Sequence, residues 1–533
     1  MIQNTNFMRK WFVIISLGLV VVFAGFLRFY KVTENPPSLS WDEAAVGYNA
    51  WNILNTGRDE WGRTLPLSFK SFEDDKHPLH IYLTVPTVAI FGPNELGVRA
   101  SSAFFGIFNV LIIFFLARKL FYSTFGGKSD LAGIIASLVL AISPYNIHFS
   151  RYNHELNFAL FFFMMGVYLL LKGIEKKNYL IVLGFASLGL DLLSYHSAKV
   201  IAPPVVVLIT ILYFKDLLKV KKLFLLGVLA FSFFVTLLFI EPSLLGGARL
   251  KQTSSAESRT IQSIESKYLK HFTYDFLFNK GDANPRLSAQ TGTFYKIDLL
   301  FLSIGLLSLL WGIFKGKKEY LIILAWALLA PVPASISTEA PHVARAMFMT
   351  GSWHLVIALG IYTVLNLLRS KYFKIVVGLV MIIIFGISLS KFWQSYFKDY
   401  RDRYAIEWQY GMKEIVNYIK DHPEYDEIYM TAERQQPYIF YLFHFQTPPP
   451  SYLKTVEYNN TLSRSANTVS GFSKYHFGLW DEIESLPIPN VLYVITPSTY
   501  DGLRHKPLFD TVSAIKYPNG SDAFYLVTAK TYE

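Results

Sequence analysis

The sequence predicts a polytopic α-helical membrane protein of about eleven transmembrane helices, with a large first extracytoplasmic loop and a small C-terminal extracytoplasmic α/β domain. Three observations carry that expectation. The 533-residue chain is 52% hydrophobic and only 17% charged, with a mean hydropathy of +0.31, which suits a polytopic membrane protein rather than a large soluble enzyme. Apolar runs long enough to cross a bilayer with some tilt lie near residues 11 to 28, 99 to 117, 131 to 147, 156 to 172, 179 to 194, 199 to 214, 222 to 240, 297 to 314, 319 to 332, 345 to 367 and 374 to 391. Every second connection between them is short and basic.

The basic residues fix the orientation. Arg9 and Lys10 precede the first run, and Arg118, Lys119 and Lys128 follow the second. The later clusters are Lys172, Lys176 and Lys177; Lys215, Lys219, Lys221 and Lys222; Lys315, Lys317 and Lys318; and Arg369, Lys371 and Lys374. Such connections face the cytoplasm, so the N-terminus is expected inside and the C-terminal domain outside, in a multi-pass protein of the plasma membrane. The net charge of +11 resides in these clusters; it is topological and argues against a nucleic-acid partner. The chain has no cysteine, which excludes disulfides, thiolate catalysis and Cys metal sites.

Taken in order, the run Trp11 to Leu27 is long for a signal-peptide core and lacks a small-residue cleavage site before Arg28, so it reads as a retained signal anchor. The segment Pro78 to Phe91 is apolar but only 14 residues long and ends in Gly92-Pro93. As a span it would break the charge alternation; it reads as a helix lying in the outer interface. The outer connections are then 29 to 98, 148 to 155, 195 to 198, 241 to 296, 333 to 344 and everything after about 392. From 392 to 533 the composition turns polar, with strand-like runs at 427 to 431, 491 to 496 and 523 to 528 and a helical run at Gln436 to Phe445. The division is therefore a membrane domain, 1 to 391, and an α/β domain, 392 to 533. No internal repeat or low-complexity tract is visible.

The outer loops hold the residues capable of chemistry. Asp42 and Glu43 follow the first span. Asp42 suits the N-cap of a helix running through Ala44 to Leu54, and a carboxylate there can also take a proton from a hydroxyl or hold a divalent cation against a phosphate. Further along the same loop, Lys76 and His77 supply groups that a phosphate needs, although Glu73 to Pro78 also reads as a solvated turn. Arg151, His154 and Glu155 crowd the mouth of two spans, where burying His or Glu is costly without a partner. Asp191 lies about one turn inside the fifth span, and an intramembrane acid suggests function. Pairing with His196 or Lys199 is the plainer account of it. Pro341 suits a helix start that would place His342 and Arg345 on one face of an anion-attracting N-terminus; Arg345 also reads as an interfacial arginine snorkelling to water.

The order of these features resembles a known architecture. A first span, the Asp42-Glu43 pair, and His77-Pro78 entering an apolar helix that leads to Phe91-Gly-Pro-Asn-Glu-Leu-Gly-Val-Arg99 are similar to the GT-C membrane glycosyltransferases. Within these the chain resembles glycosyltransferase family 39, the protein O-mannosyltransferase and aminoarabinose-transferase-like enzymes. Ser143-Pro-Tyr-Asn-Ile-His-Phe-Ser-Arg151 and the segment from Pro341 through His342 to Arg345 are similar to bacterial members. The likeness covers roughly residues 10 to 370 and is clearest from 38 to 155.

The resemblance implies inverting transfer of a sugar from a polyprenyl-phosphate donor on the outer membrane face. Asp42 would act as the base on an acceptor hydroxyl, with Glu43 assisting. Lys76, His77, Arg151, His342 and Arg345 would hold the lipid phosphate, whose charge grows at the transition state; His154, Glu155, Asp191, His196 and Lys199 are further candidates. Partners are then the donor, membrane lipids and a glycan, lipid or protein acceptor. A protein acceptor is the less implied, because residues 241 to 296 have no room for the β-trefoil insert of the protein mannosyltransferases. No obligatory cofactor is expected, although Asp42, Glu43, His154 and Glu155 are the residue types for a divalent cation. The alternatives are a transporter or flippase for a lipid-linked glycan, and a membrane-anchored envelope-assembly protein. Against the first, the polar residues gather at one face; against the second, an anchor needs far fewer spans.

Overall fold

A computed structural model of the chain describes residues 2–289, 291–461, 466–479 and 487–530. It resolves into two compact units, one formed by Met1–Tyr30 with Ser102–Tyr396 and the other by Lys31–Ser101 with Phe397–Glu533. The sequence suggested one division, between 391 and 392. In the structure the first outer loop is grouped with the C-terminal residues, because its apolar side chains Leu39, Ala44, Ala45, Tyr48 and Val98 share a core with Ile428, Leu492, Val494 and Phe524.

The first unit is helical. Each expected apolar segment falls on a helix, from Ile2–Phe29 to Lys371–Gln394. Seven helical stretches among the described residues are long and apolar enough to cross a membrane, and one of these, the 48-residue Glu95–Ile142, contains the expected segment 99 to 117 and most of 131 to 147, joined by a turn at Gly126–Lys128. Leu180–Asp191, Ala198–Leu212 and Asp298–Phe314 are apolar but shorter. The expected segment 131 to 147 breaks at Ser143, which is extended before Pro144 starts a separate helix, Pro144–Ser150. Proline disfavours helical backbone in the residue before it, and Ser143 follows that rule.

Small residues let these helices approach closely. A Cβ on Gly173 would lie 2.4 Å from the backbone nitrogen of Ile181, and one on Gly360 would lie 1.9 Å from the carbonyl oxygen of Phe301. The helices Lys221–Ile240 and Lys371–Gln394, by contrast, leave apolar faces exposed, including Leu225, Phe233, Val376 and Ile383. Faces of that kind suit lipid.

The expected helix beginning at Pro341 is absent. Residues 343–348 form turns, and the helix Met349–Leu367 is itself interrupted at Thr350 and Gly351. Gly351 has φ 92°, and a Cβ there would lie 2.7 Å from Trp326.

The second unit is α/β. The expected runs become β3 (Glu427–Thr431), β7 (Val491–Ile495) and β9 (Asp522–Ala529) after an N-terminal hairpin of β1 (Phe69–Ser71) and β2 (Asp74–Lys76). With β4 (Glu457–Tyr458), β5 (Val469–Phe472), β6 (Tyr475–Gly478) and β8 (Phe509–Lys516) they form a seven-stranded sheet of order β4-β5-β6-β3-β7-β9-β8. The central β6-β3-β7 pairs are parallel and the flanking ones antiparallel. Every residue of β7 is buried, as a central strand covered on both faces requires. The expected helix is Pro437–Phe445, and it packs on the helix Trp41–Thr56: a Cβ on Gly47 would lie 2.6 Å from the Phe443 ring.

Candidate active site

In the second unit, the helix Trp41–Thr56 begins with a capping box. Ser40 is the N-cap, its hydroxyl accepts the Glu43 N–H at 3.4 Å, and Glu43 Oε2 accepts the Ser40 N–H at 3.1 Å. The cap suggested for Asp42 thus belongs to Ser40 and Glu43, and the Ser-x-x-Glu signature was present in the sequence. Glu43 is fully buried, with Arg99 Nε 3.0 Å from Oε1. Arg99 also donates to the carbonyls of Val32 and Pro36 at 2.8 Å each and of Ser38 at 2.5 Å. Glu43 therefore locks the loop and helix start instead of standing open beside Asp42.

Asp42, one residue earlier, points elsewhere and keeps 28% of its side chain exposed, with Oδ1 2.5 Å from Lys76 Nζ. The β1–β2 hairpin delivers that lysine. Phe72 and Glu73 both have positive φ, 55° and 57°, as a two-residue turn between strands demands, and the strand alternation buries Lys76 on the same face as Asp74. His77 follows as the N-cap of the helix Pro78–Phe91, which occupies the segment expected for the interfacial helix, and is itself buried.

In the first unit, Arg151 is fully buried and donates from Nη1 to the carbonyls of Leu27 and Arg28, both at 3.1 Å. It thereby satisfies carbonyls at the end of the helix Ile2–Phe29. His154 Nδ1 lies 3.0 Å from Glu155 Oε2. Asp191 pairs with neither Lys199 nor His196: its carboxylate oxygens are buried with no hydrogen-bond partner among the described residues, while Lys199 donates to the Leu244 carbonyl and His196 packs against Gly246.

His342 and Arg345 stand on the turns after Pro341, which the rest of the unit holds. The His342 N–H donates to His271 Nε2 at 3.1 Å and the Val343 N–H to Asp282 Oδ2 at 2.7 Å. Neighbouring side chains thus take up N–H groups that a helix start would leave open. Arg345 Nη1 donates to the Ser337 hydroxyl at 2.9 Å and lies 3.7 Å from Glu339, and its carbonyl accepts the Ser197 hydroxyl at 2.8 Å. Burial pushes the His271 imidazole down to about 4, which keeps it neutral and able to accept, and pushes the Asp282 carboxyl up.

Sequence reasoning passed over several of these groups. Arg99 closes the motif noted above, yet its buried contact with Glu43 joins positions 56 apart. Asp282 and His271 carried no local signal. His148 binds the Tyr396 hydroxyl at 3.0 Å and the Arg286 carbonyl at 2.7 Å, its pKa pushed down to about 4 by burial. Glu60 is buried and accepts the Tyr438 hydroxyl at 2.9 Å; burial pushes its carboxyl up to about 7. Among the described residues no three or more His, Asp or Glu side chains group as metal ligands would. Of the residues named for a divalent cation, Glu43 is held by Arg99 and Asp42 by Lys76, while His154 and Glu155 lie beside each other.

The chain is also similar to known proteins in sequence and in fold. Residues 75–240 match the family model of dolichyl-phosphate-mannose-protein mannosyltransferase. An uncharacterized protein of Aquifex aeolicus (strain VF5) is 27% identical over 218 residues, which span 40% of this chain and 40% of that protein. ArnT from Cupriavidus metallidurans in the apo state superposes with a TM-score of 0.55 at 14% identity, covering 98% of each chain. The same protein bound to undecaprenyl phosphate gives a TM-score of 0.53 at 15% identity, covering 97% of this chain and 98% of ArnT. The chain is accordingly a membrane protein that shares the fold of ArnT, and its residues 75–240 match the family model of dolichyl-phosphate-mannose-protein mannosyltransferase.

Proposed function

We propose that the protein is an inverting glycosyltransferase that moves a sugar from a polyprenyl-phosphate donor to an acceptor hydroxyl at the outer face of the plasma membrane. The observation that carries this reading is the ion pair between Asp42 and Lys76, on a loop helix and a hairpin of a chain that shares its fold with a protein seen bound to undecaprenyl phosphate. A donor phosphate competes with Asp42 for the Lys76 ammonium. Donor binding then draws Lys76 onto the leaving group and releases the carboxylate to act as base.

In the transfer step the acceptor oxygen bonds to the anomeric carbon on the face opposite the phosphate, and its proton passes to Asp42. The carbon–oxygen bond to the phosphate breaks with its electron pair on the polyprenyl phosphate, where Lys76 neutralises the charge. His77, which follows Lys76 in the same unit, is a further candidate for that phosphate. Glu43 and Arg151 take supporting positions in this reading, because each is engaged with backbone or a buried partner. The N-terminus lies in the cytoplasm, eleven helices cross, and residues 392 to 533 lie outside, where they recognise the acceptor.

Asp42→Asn is expected to lower sugar transfer by roughly 10²- to 10⁴-fold with folding intact. Unchanged turnover in that variant would remove Asp42 as the base. Mass spectrometry of lipid co-purified with the wild-type protein is expected to find a polyprenyl phosphate; a bound lipid without phosphate would overturn the donor class.

A further inference from the structure

A cavity of 240 Å³ opens in the helical unit at the start of the first helix, between Arg9, Lys128 and Lys374, with Phe12, Leu131 and Ile134 among its walls. It lies at the opposite end of the helix Ile2–Phe29 from the Arg28 carbonyl that Arg151 binds. Those positions are 19 residues apart (28 − 9), roughly 28 Å at 1.5 Å per residue. We propose that this cavity is a binding site for the phosphate headgroup of an acidic glycerophospholipid.

The charge arrangement is built. Arg9 donates to Asp130 and to the Gly127 carbonyl. Asp130 is further neutralised by Arg118, 2.7 Å away. Lys128 and Lys374 are left without an ion pair among the described residues, at a cavity whose one carboxylate already has two arginines. A phosphate diester supplies the missing negative charge.

The walls select the lipid over free phosphate. Phe12 and Leu131 are exposed, at 60% and 40%, on helices long and apolar enough to cross a membrane. A basic cleft opening onto such helices matches the level of a headgroup, with acyl chains running along the apolar faces. By the charge alternation of the connections this end faces the cytoplasmic leaflet, away from the proposed transfer site.

The test measures binding of phosphatidylglycerol to the full-length protein in detergent by native mass spectrometry, with phosphatidylcholine and inorganic phosphate as comparison ligands. Phosphatidylglycerol is expected to be retained over phosphatidylcholine, and excess inorganic phosphate is expected not to displace it. Binding should weaken roughly fivefold for each of Lys128→Ala and Lys374→Ala. The charge-preserving Lys128→Arg/Lys374→Arg variant should bind like the wild type, which separates lost charge from lost folding. Equal retention of the two lipids, full displacement by inorganic phosphate, or undiminished binding by the alanine variants would each overturn the site.

Discussion

Asp42 stands on a regular helix whose first turn is closed by its sequence neighbours Ser40 and Glu43. His342 and Arg345 stand on turns held by His271 and Asp282, which lie 71 and 61 residues away from the N–H groups they accept. Both regions keep a charged side chain in place beside buried polar groups. In the first loop much of the information is local, in a capping box and a two-residue hairpin turn, with Arg99 as a long-range addition. In the other it is almost wholly non-local. A regular element satisfies its own backbone, so its charged residues can be located from spacing; an irregular segment borrows partners, so they cannot.

The sharpest way to break that comparison is to remove the long-range addition. Glu43→Ala or Arg99→Ala strands a fully buried charge and is expected to cost about 3–5 kcal/mol, read as a lower unfolding temperature in detergent. A loss below 1 kcal/mol would mean that the local capping box alone holds the loop.

Glu60 sharpens it next, because it ties the first loop to Tyr438. Its carboxyl is raised from 4.5 to about 7 by burial, so the folded unit favours the neutral acid. The stabilisation is complete below pH 4.5 and is lost as pH rises through about 7, a change of order 3 kcal/mol. The wild type should therefore unfold at a lower temperature at pH 8 than at pH 5, and Glu60→Gln should flatten the difference. An unchanged pH profile in that variant would assign the dependence to another group.

For the second region, Asp282→Ala leaves the Val343 N–H without its acceptor and should cost about 1–3 kcal/mol, with Asp282→Asn recovering most of it. A neutral alanine variant would show that the turns after Pro341 hold themselves. The smallest effect is expected from Lys413→Ala. Its ion pair with Glu95 at 2.8 Å is 45% exposed on the lysine side, and its loss should cost less than about 1 kcal/mol.

The helices of the first unit were legible because a membrane span must be long, apolar and internally hydrogen-bonded, and Pro78–Phe91 and the strands β3, β7 and β9 were legible from length and pattern. Of the candidate site, Asp42 and Lys76 could be named from the sequence, but their pairing depends on a hairpin that brings positions 34 apart to 2.5 Å. Asp191 was legible as an unusual intramembrane acid, whereas its lack of a bond to Lys199 was not, since that depends on where the Leu244 carbonyl lies. The helix start expected at Pro341 failed for a related reason. Proline at a first turn is compatible with a helix without requiring one, and the neighbouring loops offered other acceptors.

The sequence by itself determined the membrane class, the helical segments and the alternation of basic connections, because hydropathy and charge act over windows of one chain segment. The tertiary structure alone decided that the first loop shares a core with the C-terminal sheet, that Glu43 is locked by Arg99 while Asp42 meets Lys76, and that a basic cavity forms around Lys128 and Lys374. Each of these joins residues distant in sequence. Side chains at adjacent positions of a helix point about 100° apart, so what each one meets is set by the elements packed around it.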